Sequence, residues 1–201
     1  MFNQTLKVSF LKFCEKKKFE KNNNQLKIIH LLSDFISSKI FLFKFFFKSK
    51  EKLCFYLFGN VGVGKTMILD FFYESLNIPK KRIHFNEFML SFHDYRYKNK
   101  KDNKDNSILR FVLDLKKNNK LIYLDEFQVT NIVDAMILGK LFETIFQENI
   151  KILISTNTKI DDLYKDGLQR DQFLPFISII KENSIHKELL IDNDYRIQGL
   201  D

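Results

Sequence analysis

The chain has no tryptophan, one alanine, two cysteines, two prolines and six glycines, and each shortage excludes something. Cys14 and Cys54 lack the spacing of a disulfide framework or of a metal site, so they exclude a stapled secreted module and read as buried or idle thiols. No apolar run approaches the ~20 residues that cross a bilayer, because even the Phe-rich stretch Ile40–Phe47 is interrupted by Lys44. The opening MFNQTLKVSFLKFC has no clustered basic region, no small-residue cleavage site and no arginine enrichment, so no export signal is read there. A reducing, cytoplasmic setting is the expectation.

What remains is 201 residues, 45% apolar and 29% charged, enough for one complete core. Net charge is +8, which by itself points to nucleic acid or an anionic membrane. The composition argues otherwise. With 28 lysines against five arginines and 23 phenylalanines, the slant is that of AT-rich codon usage, and much of the lysine excess reads as solvated surface.

Short apolar runs alternate with helix-period segments, the pattern of an α/β fold whose parallel sheet is covered by helices. Strands are predicted at Leu53–Phe58, Arg82–Phe85, Leu121–Leu124, Ile150–Ser155 and about Ile185–Ile191. One helix is predicted from Lys65 to about Leu76, ending before Asn77 and Pro79. Another starts near Thr130 or Asn131 with Val133, Ile137, Leu141 and Ile145 on one face. Residues 1–40 read as a helical lead-in, with Leu26, Ile29, Leu32 and Phe35 at helical spacing, and 41–201 as the core domain. Lys98–Asn106 reads as a polar surface loop.

Three of the six glycines fall in Gly59-Asn60-Val61-Gly62-Val63-Gly64-Lys65-Thr66, a full G-x-x-x-x-G-K-[ST] between a predicted strand and helix. Glycines let successive N–H groups turn inward around phosphate oxygens, and the helix N-terminus adds partial positive charge. Lys65 is expected to reach the β- and γ-phosphates and Thr66 to hold Mg²⁺. Leu121–Leu124 ends in Asp125-Glu126, a carboxylate pair where open α/β sheets bind ligands. Asp125 is expected on the metal and Glu126 on the attacking water.

Ser155-Thr156-Asn157 places an amide at the end of the next strand, in reach of the γ-phosphate. Thr158-Lys159-Ile160-Asp161 resembles a guanine-recognition element, but Asp125-Glu126-Phe127-Gln128 is not the Asp-x-x-Gly that such GTPases carry, so ATP is favoured. Arg170, at the start of a predicted helix, suits stabilisation of a transferring phosphoryl group or, equally, a surface pair with Asp166 or Asp171. His84, Glu87 and His93 fit no common zinc spacing. Phe85, Phe88 and Met89 read as helix core or as an apolar loop that grips a polypeptide.

Several segments together resemble one family: Leu57 to Tyr73, His84 to Met89, Leu124 to Thr130, Asp134 to Leu138, and Asp162 to Arg170, with Gln25 in the lead-in. The chain is similar to ZapE-type, AFG-like AAA+ ATPases. The resemblance implies a P-loop NTPase with a five-stranded parallel sheet, a homo-oligomer in which Arg170 reaches the neighbour's nucleotide, and Asn157 as sensor. It also implies a pore-lining loop around Phe85 to Met89 and a bacterial cytoplasmic protein acting on protein partners such as division-ring components. At most it touches the inner membrane peripherally. The match runs through Asp194-Tyr195-Arg196 and the chain stops at Asp201, so a C-terminal helical lid is expected to be absent. Two other readings are a helicase-loader-like nucleic-acid remodelling ATPase and a lidless ATP-binding scaffold without turnover.

Overall fold

A computed structural model describes residues 2–19, 22–37, 51–99 and 104–190. The Phe-rich stretch and the segment from 191 onward, with Asp194 to Arg196, lie outside the described residues. In chain order the elements are α1 (Phe2–Lys17), α2 (Asn23–Ser37), β1 (Cys54–Phe58), α3 (Lys65–Ser75), β2 (Lys80–His84) and α4 (Phe85–Lys98). They continue with α5 (Lys104–Asn118), β3 (Leu121–Asp125), α6 (Ile132–Gln147), β4 (Lys151–Thr156), α7 (Leu174–Asn183) and β5 (Ser184–Glu188).

The five strands form one parallel sheet in the order β2-β3-β4-β1-β5. Strand composition follows position. The inner strands β1, β3 and β4 are apolar and buried almost throughout, as strands covered on both faces must be. The outer strands β2 (KKRIH) and β5 (SIHKE) carry the charged residues that blunt a sheet edge. Side chains alternate across the sheet and divide the core in two. Cys54 and Tyr56 pack with α4 to α7, including Phe88, Phe142 and Phe176. Phe55, Leu57 and Tyr123 pack with α1, α2 and α3, through Phe10, Ile29, Leu32 and Phe72. Ile29, Leu32 and Phe35 of the lead-in are thus buried in one cluster with residues of β1, β3 and β4.

Helix α3 ends where predicted, with Leu76 as its cap, and Lys80 donates to the exposed carbonyls of Tyr73 and Leu76. Asn131 caps α6 by accepting from the N–H of Asp134 at 2.8 Å.

Four expectations need correction. Val133 is 56% exposed, because the helix buries Ala135 and Leu138 beside Ile137, Leu141 and Ile145 instead. Strand β2 begins at Lys80 and hands over to α4 at Phe85, while β5 ends at Glu188. The polar segment predicted as a loop is already helical from Lys104, the start of α5, which buries Ile108, Phe111 and Val112. Phe85, Phe88 and Met89 follow the helix-core reading, 1%, 2% and 2% exposed, and where the resemblance implies a pore-lining loop the structure has the opening of α4. Among the described residues no helix is long and apolar enough to cross a membrane.

Candidate functional site

The C-terminal ends of β1, β3 and β4 open on one side of the sheet, and the segment after β1 turns there into α3. Gly59, Gly62 and Gly64 have φ of +150°, +82° and +91°, backbone that side chains rarely adopt, which explains the glycine cluster. At Gly59 there is a second reason: a Cβ would lie 2.5 Å from the carbonyl oxygen of Leu189, just past β5. Lys65 is buried, its Nζ donating to the carbonyls of Gly59 at 2.9 Å and Asn60 at 2.7 Å. Burial holds this ammonium below its ordinary pKa, with the Asp125 charge opposing the shift.

A cavity of about 320 Å³ lies between loop and sheet, lined by Val61, Gly62, Lys65, Thr66, Asp125, Glu126, Gln128, Ser155, Thr156 and Asn157. The structure therefore brings together, across three strand ends, the P-loop residues, the acid pair and the amide singled out above. It does not bring Arg170 there. That residue lies in a 3₁₀ turn (Arg170–Gln172) rather than at the start of a regular helix. Its guanidinium donates to the backbone carbonyls of Leu163 at 2.9 Å and Asp161 at 2.7 Å, not to the carboxylates of Asp166 or Asp171.

Asp125 is 2% exposed and heavily bonded. Its Oδ1 accepts from the Ser155 hydroxyl, from Tyr123 Oη at 3.2 Å and from the Glu126 N–H at 3.1 Å, and its Oδ2 accepts from Arg82 at 2.5 Å. Burial alone would push this carboxyl up. The hydrogen bonds from Ser155 and Arg82, with the guanidinium charge, outweigh it and hold the group below the usual carboxylate range. Asp70, also on Arg82 at 3.0 Å, is shifted the other way, because its burial outweighs the same guanidinium.

Glu126 has φ +54° and a side chain 79% exposed, with His84 Nδ1 3.8 Å from its carboxylate. A non-glycine residue held in this region is strained by about 1–3 kcal/mol, and the strain points to an over-determined setting. Phe127 supplies it. Its ring is fully buried against Phe85, 4.3 Å between centroids, and its backbone is zipped to β4. The Phe127 N–H donates to the Ser155 carbonyl at 2.9 Å and its carbonyl accepts from Thr156 Oγ1 at 2.7 Å. The residues on either side, Glu126 and Gln128, then face the cavity.

Elsewhere the histidines serve other contacts. His93 pairs with Asp134 at 2.7 Å, tying α4 to α6, and the described residues hold no group of three or more His, Cys, Asp or Glu placed to share a metal ion. The carboxylate of Asp161 pairs with Lys181, and neither Lys159 nor Asp161 lines the cavity, which leaves the guanine element without a ligand-facing role there. Sequence reading missed Arg82, Asp70, Tyr123 and Gln128. Only the rarity of arginine marks one of them out.

The model of the family described as AFG1-like ATPase matches residues 10–201. Cell division protein ZapE of Escherichia coli is 37% identical over 148 residues, covering 72% of this chain and 38% of its own length. Lactation elevated protein 1 homolog B of Danio rerio is 42% identical over 138 residues, covering 64% of this chain and 27% of its own length. The chain thus spans about a third of the length of these curated relatives. Among solved structures, DnaI is 18% identical with a TM-score of 0.60, covering 86% of this chain and 85% of that one, a likeness of fold. The fold is the α/β P-loop arrangement of AAA+ proteins.

Proposed function

The chain belongs to the AFG1-like ATPase family, and from that premise and the geometry at the strand ends we propose that it binds Mg-ATP and hydrolyses it as a homo-oligomer. The observation that carries the reading is the convergence of Lys65, Thr66, Asp125, Glu126 and Asn157 on one cavity at the mouth of the glycine loop.

Inward backbone N–H groups from Gly62 to Thr66, at the N-terminus of α3, receive the phosphates, and Lys65 is drawn from its loop carbonyls to them. The residues present fit a magnesium ion: the Thr66 hydroxyl and an Asp125 carboxylate kept ionised line the same cavity. When bound, the ion would neutralise charge across the β- and γ-phosphates. Glu126, lining the cavity with its carboxylate 3.8 Å from His84 Nδ1, orients water and accepts its proton, and Asn157 contacts the γ-phosphate.

Arg170, half-buried and away from its own chain's cavity, serves the nucleotide of a neighbouring copy in a head-to-tail assembly. The similarity to a cell division protein supports protein partners at a bacterial division site, reached from the cytoplasm with at most peripheral contact with the inner membrane.

The test is Mg-ATP hydrolysis per subunit across a range of protein concentrations, with GTP as control nucleotide. The rate is expected to climb with concentration, to fall by about 10²–10⁴-fold in Glu126→Gln and by about 10³–10⁵-fold in Arg170→Ala. Binding of ATP with a flat background rate would make the chain a scaffold, and preference for GTP would restore the guanine element.

A further inference from the structure

The two residues read above as metal-side ligands sit on different elements, Thr66 on α3 and Asp125 at the end of β3. Their separation depends on how helix and sheet are held together. One side chain spans both. Arg82, on edge strand β2, places NH1 3.0 Å from Asp70 Oδ2 of α3 and NH2 2.5 Å from Asp125 Oδ2. Asp70 stands one helical turn after Thr66, so the two share a face of α3. The guanidinium also lies over the ring of Tyr123, 5.0 Å from its centroid, and Tyr123 is the register partner of Arg82 on β3.

A surface ion pair would contribute little here. This one differs because the Asp125 side chain is 3% exposed against 38% for Arg82, so the arginine brings its charge in to a buried carboxylate. Three donors converge on Asp125 Oδ1, while Oδ2 accepts from Arg82. A planar guanidinium forks between two carboxylates, which the point charge of a lysine does not reproduce. Neither Asp70 nor Arg82 lines the cavity: Arg82 reaches it through Asp125, and Asp70 through Arg82 and its place one turn after Thr66.

We infer that Arg82 is a positioning residue: by forking between Asp70 and Asp125 it ties the helix that carries Thr66 to the Asp125 carboxylate, and thereby sets how tightly the site takes the divalent cation of a Mg-nucleotide. This rests on the nucleotide reading above and adds to it a pair of residues, Arg82 and Asp70, that touch neither nucleotide nor metal.

The experiment is a titration of Mg²⁺ into the full chain with a fluorescent ADP analogue, a binding readout that needs no turnover. Arg82→Gln, Arg82→Lys, Asp70→Asn and Asp125→Asn are compared with the parent, each with its melting temperature. Arg82→Gln and Asp70→Asn are expected to raise the Mg²⁺ midpoint by about 10–100-fold, as outer-shell substitutions do, while affinity for the analogue in EDTA stays the same. Arg82→Lys is expected to recover part of the loss.

Arg82→Gln strands a buried carboxylate and its folding is at risk. Asp70→Asn keeps the Arg82–Asp125 pair and carries the test alone if needed. An unmoved Mg²⁺ midpoint in folded Arg82→Gln or Asp70→Asn overturns the proposal, whatever the melting temperatures do. An unmoved midpoint in Asp125→Asn removes the metal-side reading itself. Absence of any analogue binding by the parent chain overturns the nucleotide reading beneath both.

Discussion

At the scale of single residues, Asp125 shows how a site is built from more than its motif. The strand-plus-acid-pair pattern makes Asp125 and Glu126 legible in the sequence, and the glycine spacing does the same for Lys65 and Thr66. What keeps Asp125 ionised is not local: Arg82 lies 43 positions earlier and Ser155 lies 30 later. No spacing rule connects them, since strand order brings them together. The depressed carboxyl has a consequence for stability. A group whose folded pKa lies below its unfolded value stabilises the fold fully above the unfolded value, near 3.8 here, and loses that contribution as pH falls through the folded value. In EDTA, Asp125→Asn is therefore expected to melt below the parent at pH 7, and the gap to close as pH drops below about 4. Asp70 is shifted oppositely, first by burial and also by the Asp125 charge, so Asp125→Asn relieves part of that shift and the gap reads Asp125 together with this coupling. A gap that stays constant down to pH 3 would mean that charge on Asp125 adds nothing to the fold.

At the scale of elements, the inner strands were readable because burial on both faces demands continuous apolar runs. The edges were not. In β2 the residues Lys80 and Lys81 carry the ladder, Lys80 half-buried with its ammonium on the end of α3 and Lys81 exposed, so hydrophobicity starts the strand too late. Helix α5 was hidden because its first turn continues a lysine- and asparagine-rich run, and only Ile108, Phe111 and Val112 mark its buried face. The glycine loop was recognised for phosphate, but its second constraint is a contact between elements. Gly59 packs on the Leu189 carbonyl, and the Leu189 N–H donates to Phe58 at 2.8 Å, so the loop and the segment past β5 are locked together. Gly59→Ala must break this packing as well as strain a φ of +150°, and is expected to cost about 1–3 kcal/mol. Gly62→Ala meets open space, nothing lying within 4 Å of its Cβ, and bears only the strain of its positive φ. Denaturant unfolding of the two variants should rank Gly59→Ala as the less stable. Equal losses would show that the Leu189 contact is not what fixes the glycine.

At the scale of the whole molecule, the question is what a net charge of +8 does. Counted from composition it invites nucleic acid, yet several of the described lysines are neutralised by acids. Lys116 meets Glu148 at 2.7 Å, Lys117 meets Asp114 at 2.6 Å, Lys140 meets Glu143 at 3.0 Å and Lys165 meets Asp162 at 3.5 Å. Such exposed pairs add little stability, but each one engages a lysine that a groove tracking a phosphate backbone would need free. A nucleic-acid remodelling ATPase would also couple its nucleotide state to its grip on the strand, and each ligand would then shift the other's affinity by the same factor. Fluorescence anisotropy with a labelled oligothymidylate, with and without Mg-ATP, separates the readings. Binding is expected to be weak, to fade between 50 and 200 mM salt as counterion release requires, and to be indifferent to nucleotide. Tight binding that persists at the higher salt and strengthens with Mg-ATP would move the chain into the helicase-loader class, and the dispersed lysines would then need a concentrated counterpart on the strand-binding face of an assembled ring.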